Sequence, residues 1–142
     1  MSTVFSYHYG ALLHRSTFRG GFGRVQFHLT EEDRQNHADL YALIDRIPAD
    51  ASVAATENEA PHVSARADCF TVRVAIYDAD YILVDLRAAQ HNIDKKHVDA
   101  ALATGKYGFV AAHGHFGLWA KGYSHADDAV GARLLGHKPK ED

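Results

Sequence analysis

The sequence predicts an α/β fold: a single layered domain with a mixed, largely parallel sheet, flanking helices and a C-terminal antiparallel hairpin. Three observations predict it. Helix-like and strand-like periodicities alternate along the chain, which is the pattern of layered α/β domains. Two short runs, "ASVAAT" (51–56) and "YILVDL" (81–86), are apolar on both faces, as interior strands covered by helices are. The last two apolar stretches are separated only by His113-Gly114-His115, which leaves room for a hairpin and nothing longer.

Residues 1–29 are an N-terminal arm or docking segment, readable as an extended arm or as a hairpin around "RGGFGR". Tyr7 and Tyr9 alternate with His8 and so face one way in an extended chain. Together with Phe18, Phe22 and Phe27 they form an aromatic set that needs burial against this domain or against a partner. The α/β domain then spans 30–123. Thr30 stands three residues before Asp33, a variant of the capping box, and Glu31, Glu32 and Asp33 suit the positive end of a helix dipole. Leu40, Leu43, Ile44 and Ile47 recur at helical spacing and Pro48 ends the run, which predicts an amphipathic helix over 31–46. "ASVAAT" is the first strand and 59–65 a short helical turn. "CFTVRVAIY" (69–77) and "YILVDL" are the next strands. Ile93, Val98, Ala101 and Leu102 mark a second helix closed by Gly105, and 106–123 form the hairpin. Residues 124–142 are a C-terminal tail ending in the charged "GHKPKED".

Composition excludes several classes of function. The chain has 142 residues, 46% hydrophobic and 23% charged, the profile of one soluble domain with a modest core. A net charge of −3 gives no basic field for nucleic acid. Eleven histidines make the surface charge sensitive between about pH 5 and 7. A single cysteine, Cys69, rules out an internal disulfide, and its apolar setting predicts an inert thiol. No segment approaches the roughly 18 apolar residues of a membrane span, and the N-terminus is a poor export signal. The expectation is therefore a soluble chain without an export signal, its location unknown.

No phosphate loop, dinucleotide fingerprint or nucleophile elbow occurs, so no cofactor is expected. Polar residues gather instead in "TENEAPHVSAR" (56–66), where Asn58, Glu59, His62 and Arg66 follow the first strand. Asp85 ends a later strand, where open α/β sheets present ligand-binding groups. If the two strands are parallel neighbours, these residues share one rim. Asp78 and Asp80 bracket a turn and are expected to bond their own backbone. His113 and His115 form a metal half-site that needs a third ligand, such as His97, His125 or Asp85.

The stretch "IPADASVAATENEAPHVSARADCF" resembles the soluble C-terminal region of a family of large bacterial predicted membrane proteins, themselves similar to polytopic glycosyltransferases that use lipid-linked sugars. The likeness rests on Ile47-Pro48, Ala51-Ser52-Val53, Asn58 and Pro61-His62-Val63-Ser64-x-Arg66. "DADYILVDLR" (78–87) resembles the family's Ala-Asp-Tyr-Val-Leu-x-Asp strand, and 107–122 its closing hairpin, where an acid often stands in place of His113. It covers about 30–123 and stops upstream, where "HRSTFRGGFGRV" is too polar for the family's last membrane helix. The resemblance implies the fold, a fixed strand-to-helix connection at 58–66, and a detached domain without the sugar-transfer machinery. The leading expectation is a non-catalytic interaction domain, an accessory subunit of a membrane-associated assembly with a protein partner. The alternatives are a small-ligand (sugar-type) or enzymatic domain using the Asn58, Glu59, His62, Arg66 and Asp85 rim, and a histidine-based metal-binding protein at His113 and His115.

Overall fold

Alternate residues of the strands divide between two apolar clusters, one on each face of a single five-stranded sheet. The computed structural model describes the backbone of residues 19–20, 23–24, 28–89 and 93–136, with side chains over 28–87 and 93–136. The chain divides into two compact units, 1–34 and 35–142. In the first, β1 (Arg19–Gly20) pairs antiparallel with β2 (Gly23–Arg24). Tyr7, Tyr9, Phe18, Phe22 and Phe27 lie outside the described residues.

Helix α1 (Glu31–Ile44) begins as its sequence dictates. The Thr30 hydroxyl accepts from the Asp33 amide at 3.1 Å, and the Asp33 carboxylate accepts from the Thr30 amide at 2.8 Å. Two orphan donors of the first turn are thus satisfied reciprocally. The apolar stripe continues past the helix end to Ile47, and Leu40, Leu43, Ile44 and Ile47 all reach one face of the sheet.

The strands that follow are β3 (Val53–Ala55), β4 (Cys69–Thr71), β5 (Tyr81–Asp85), β6 (Tyr107–His113) and β7 (Phe116–Lys121), in the spatial order β4-β3-β5-β7-β6. β3 runs parallel to both β4 and β5; β5 with β7 and β7 with β6 are antiparallel. The sheet is therefore mixed, parallel on one side and a hairpin on the other. That hairpin turns on Gly114, whose φ of +53° sits at the first central position of a two-residue loop, where a side chain would be strained.

Four further helices complete the layers: α2 (Ala60–Val63), α3 (Leu86–Ala89), α4 (Ile93–Ala103) and α5 (Asp128–Leu134), with a crossing connection at 72–80. Val63 of α2 joins α1 on one face; Leu86, Val98 and Leu135 join Val84, Phe109 and Trp119 on the other. Side chains such as Leu43, Ile82 and Leu83 are wholly buried, each stabilising the fold by about 1.5–3 kcal/mol relative to exposure.

Three expectations change. "CFTVRVAIY" yields only the three-residue β4, because the chain must then leave this edge, pass β3 and enter β5 on its far side. The reversal is made at Tyr77 and Asp78, both at positive φ. Asp78 and Asp80 do not bond their own turn. Asp78 accepts from Lys106 at 3.2 Å and Lys121 at 2.6 Å, and Asp80 accepts from the Ser52 amide and hydroxyl at 3.0 and 2.6 Å. The latter pins the start of β5 to the start of β3. Finally, the segment read as a tail contains α5, seated so closely that a Cβ on Gly131 would stand 2.8 Å from the Phe109 ring. Among the described residues, no helix is long and apolar enough to cross a membrane.

Candidate functional site

The β3 and β5 strands are parallel neighbours, and their chains leave in opposite directions: β3 feeds α2 on one face, β5 feeds α3 and α4 on the other. The carboxyl ends of such a pair enclose the crevice in which open α/β sheets bind ligands. What stands there is a polar cluster. Thr56, immediately after β3, is 2% exposed; Glu59 is 5% exposed and Asp85, the last residue of β5, is 7% exposed.

Local backbone geometry draws these side chains together. The Thr56 carbonyl accepts from the Glu59 and Ala60 amides at 3.0 and 2.9 Å, so the chain turns helically straight after β3 and carries Glu59 back over its end. The Thr56 hydroxyl then donates to the Glu59 carboxylate and accepts from the Asp85 amide at 2.9 Å. Asp85 in turn accepts from the Arg87 amide at 2.8 Å, and the Arg87 guanidinium lies 3.5 Å from the same oxygen. Arg87 also donates to His115 Nε2 at 2.6 Å. Because a guanidinium only donates, that imidazole nitrogen accepts and the ring proton sits on Nδ1. The other Asp85 oxygen is 4.0 Å from His115 Nε2.

Burial pushes the Glu59 carboxyl above its usual range. The Thr56 hydroxyl opposes this, the Asp85 charge adds to it, and Arg87 offsets part of it. Two carboxylates and one hydroxyl therefore converge at the switch point, with Arg87 and His115 closing the outer side. A cluster of this composition is rich in hydrogen-bond acceptors and holds one carboxyl that takes up a proton readily.

The predicted rim is only partly assembled. Glu59 and Asp85 come together. Asn58 is exposed, its side chain on the outside of the turn that buries Glu59. His62 turns toward α1: its Nδ1 is 3.3 Å from the Tyr41 hydroxyl, and its ring meets Tyr41 and His37 edge-on. Arg66 donates to the Ile47 carbonyl at 3.1 Å, satisfying an acceptor just past the end of α1, and the Ser64 hydroxyl donates to the Pro61 carbonyl at 2.8 Å. Pro61 sits in the first turn of α2, where its missing N–H costs nothing. Thus the second half of "TENEAPHVSAR" fixes a strand-to-helix connection, while Glu59 is buried against Thr56 at the strand ends.

Thr56, Arg87 and the inward role of His115 were not singled out by the sequence. Thr56-x-x-Glu59 has the spacing of a capping box, the same signal as at Thr30, and that spacing foretells a hydroxyl–carboxylate contact. For His113 and His115, the His115 Nε2 lone pair is engaged by Arg87, and the proposed third ligands are engaged as well: His97 Nδ1 donates to the Val72 carbonyl at 2.6 Å, and His125 bonds Asp128 at 2.6 Å. Among the described residues, no group of three or more His, Cys, Asp or Glu is placed to hold a metal ion. Cys69 is partly buried, with burial raising its thiol and the Arg66 charge lowering it.

No family model, no curated protein and no solved structure matches the chain.

Proposed function

We propose that this domain binds a small, neutral, polyhydroxylated ligand of the sugar class at the crevice between the carboxyl ends of β3 and β5. The observation that carries this reading is the pair of buried carboxylates, Glu59 and Asp85, at the topological switch point, where the Thr56 hydroxyl bonds the Glu59 carboxylate and the Asp85 backbone amide. Carboxylates accept hydrogen bonds from ligand hydroxyls, and the Arg87 guanidinium, 61% exposed, offers donors beside them. A panel of neutral monosaccharides, titrated into the full chain and followed by amide NMR shifts, tests it. Saturable shifts centred on Thr56, Glu59, Asp85 and Arg87 are expected, weakened by Glu59→Gln and by Asp85→Asn. Absence of saturable shifts across the panel sinks the reading.

A second reading, contact with a protein partner in a membrane-associated assembly, is favoured by the crossing connection. Val74 and Tyr77 are each 64% exposed there, large apolar side chains set on a turn held by Lys106 and Lys121. Replacing both by Asp and finding the same co-purifying proteins would remove it.

A further inference from the structure

A separate cavity of about 340 Å³ opens at the carboxyl ends of the other parallel pair, β3 and β4. It is lined by Glu57, Arg73, Ile93 and Asp94. Glu57 follows β3, Arg73 follows β4, and Ile93 and Asp94 open α4. His97, farther along α4, donates to the Val72 carbonyl and so fixes this helix over the end of β4. The volume lies at the small end of ligand pockets, roughly 300–1,000 Å³.

The charges in this cavity do not balance. Arg73 is engaged by Glu57 at 3.0 Å, and both side chains are largely exposed. Asp94 is 7% exposed, and its Oδ1, buried as well, makes no hydrogen bond. Burial raises the Asp94 carboxyl; the Arg73 charge opposes this, Glu57 adds to it, and His97 opposes it. Two carboxylates thus share one guanidinium that is already committed to the outer carboxylate. A buried acceptor without a donor is rare and costly, and a cationic donor entering the cavity would relieve it. Two carboxylates do not make a metal site, and among the described residues no third ligand joins them. Ile93, 52% exposed, adds an apolar wall.

We propose that this cavity binds the protonated amino group of a small organic amine, with Asp94 as its counter-ion, Glu57 as second acceptor and Ile93 against its carbon chain. The site is independent of the Glu59–Asp85 crevice and stands whether or not that crevice takes a sugar.

The probe is 1,4-diaminobutane, titrated into the full chain by calorimetry and by amide NMR, with butyrate as a control of similar size and opposite charge. Saturable diamine binding with shifts at residues 57, 73 and 94 is expected, and none for butyrate. Asp94→Asn should weaken binding about ten-fold or more, the loss of one charge-assisted hydrogen bond. Arg73→Gln removes the internal competitor and should bind at least as tightly, a result that damage to the fold does not produce. Glu59→Gln should leave diamine affinity unchanged. No saturable binding, equal binding of butyrate, undiminished affinity in Asp94→Asn, weaker affinity in Arg73→Gln, or loss in Glu59→Gln would each overturn the proposal.

Discussion

The backbone amide of Asp85 donates to the Thr56 hydroxyl at 2.9 Å, and the same hydroxyl donates to Glu59. One oxygen therefore ties the ends of two parallel strands to the turn that follows the first of them. Thr56→Val keeps the shape of the side chain and removes both bonds, leaving a buried amide and a buried carboxylate without this partner. A loss of about 1–3 kcal/mol is expected, read by urea unfolding at neutral pH. Thr56→Ser retains the hydroxyl and should recover most of it.

Stability should respond to pH with opposite signs at two carboxylates. Glu59 is raised above its ordinary 4.5, chiefly by burial, so the folded state holds its proton more tightly than the unfolded chain. Its presence is harmless in acid and costs stability as pH rises through 4.5 toward the raised folded value. Relative to the wild type, Glu59→Gln should therefore gain stability across that window. Asp80 is lowered below its ordinary 3.8, chiefly by the Ser52 hydroxyl and then by the Ser52 amide. Its contribution is complete above 3.8 and is lost as pH falls through the lowered folded value. Asp80→Asn should destabilise most at neutral pH and have little effect in strong acid. Denaturation midpoints of both variants against the wild type from pH 2 to 8 check the crossing.

Gly117 lies under the ring of Trp119, the single tryptophan of the chain. A Cβ at position 117 would stand 2.7 Å from that ring and 3.1 Å from Leu86. Both neighbours are buried, so Gly117→Ala must displace the indole. A destabilisation of about 1–3 kcal/mol is expected from overpacking. Tryptophan emission, which reports only this site, should shift in the folded variant and coincide with the wild type after unfolding.

The layers were legible because burial on each face repeats with the period of its element. Leu40, Leu43, Ile44 and Ile47 announced α1, and Thr30 with Asp33 announced where it starts. The shared rim of Glu59 and Asp85 was legible only as a condition, that β3 and β5 pair in parallel, and they do. Which polar side chain of 56–66 turns inward was not legible. Asn58 and Glu59 are adjacent, and the choice between them is made by a helical turn of the backbone after Thr56. The length of β4 escaped for a different reason: Val72, Val74 and Ile76 suit a strand, but the chain must cross β3 to reach β5, and strand order is a long-range property that local preference does not encode. Helix α5 sits in a stretch whose hydrophilic residues suggested a tail; its place depends on Gly131 fitting against Phe109, a contact that spacing does not reveal.

The two outer strands of the sheet have a consequence for how the molecule behaves in company. An open sheet edge is a template on which another chain can add a strand. Here one edge, β4, is three residues long. The other, β6, changes register between Phe109 and Ala111, and its Phe109 amide already donates to the Asp128 carboxylate of α5 at 2.8 Å. A second chain aligned with either edge would meet too short a ladder on one side and a broken, partly occupied one on the other. Resistance to fibril growth is thus built into the same short strand and the same helix that the sequence patterns disguised.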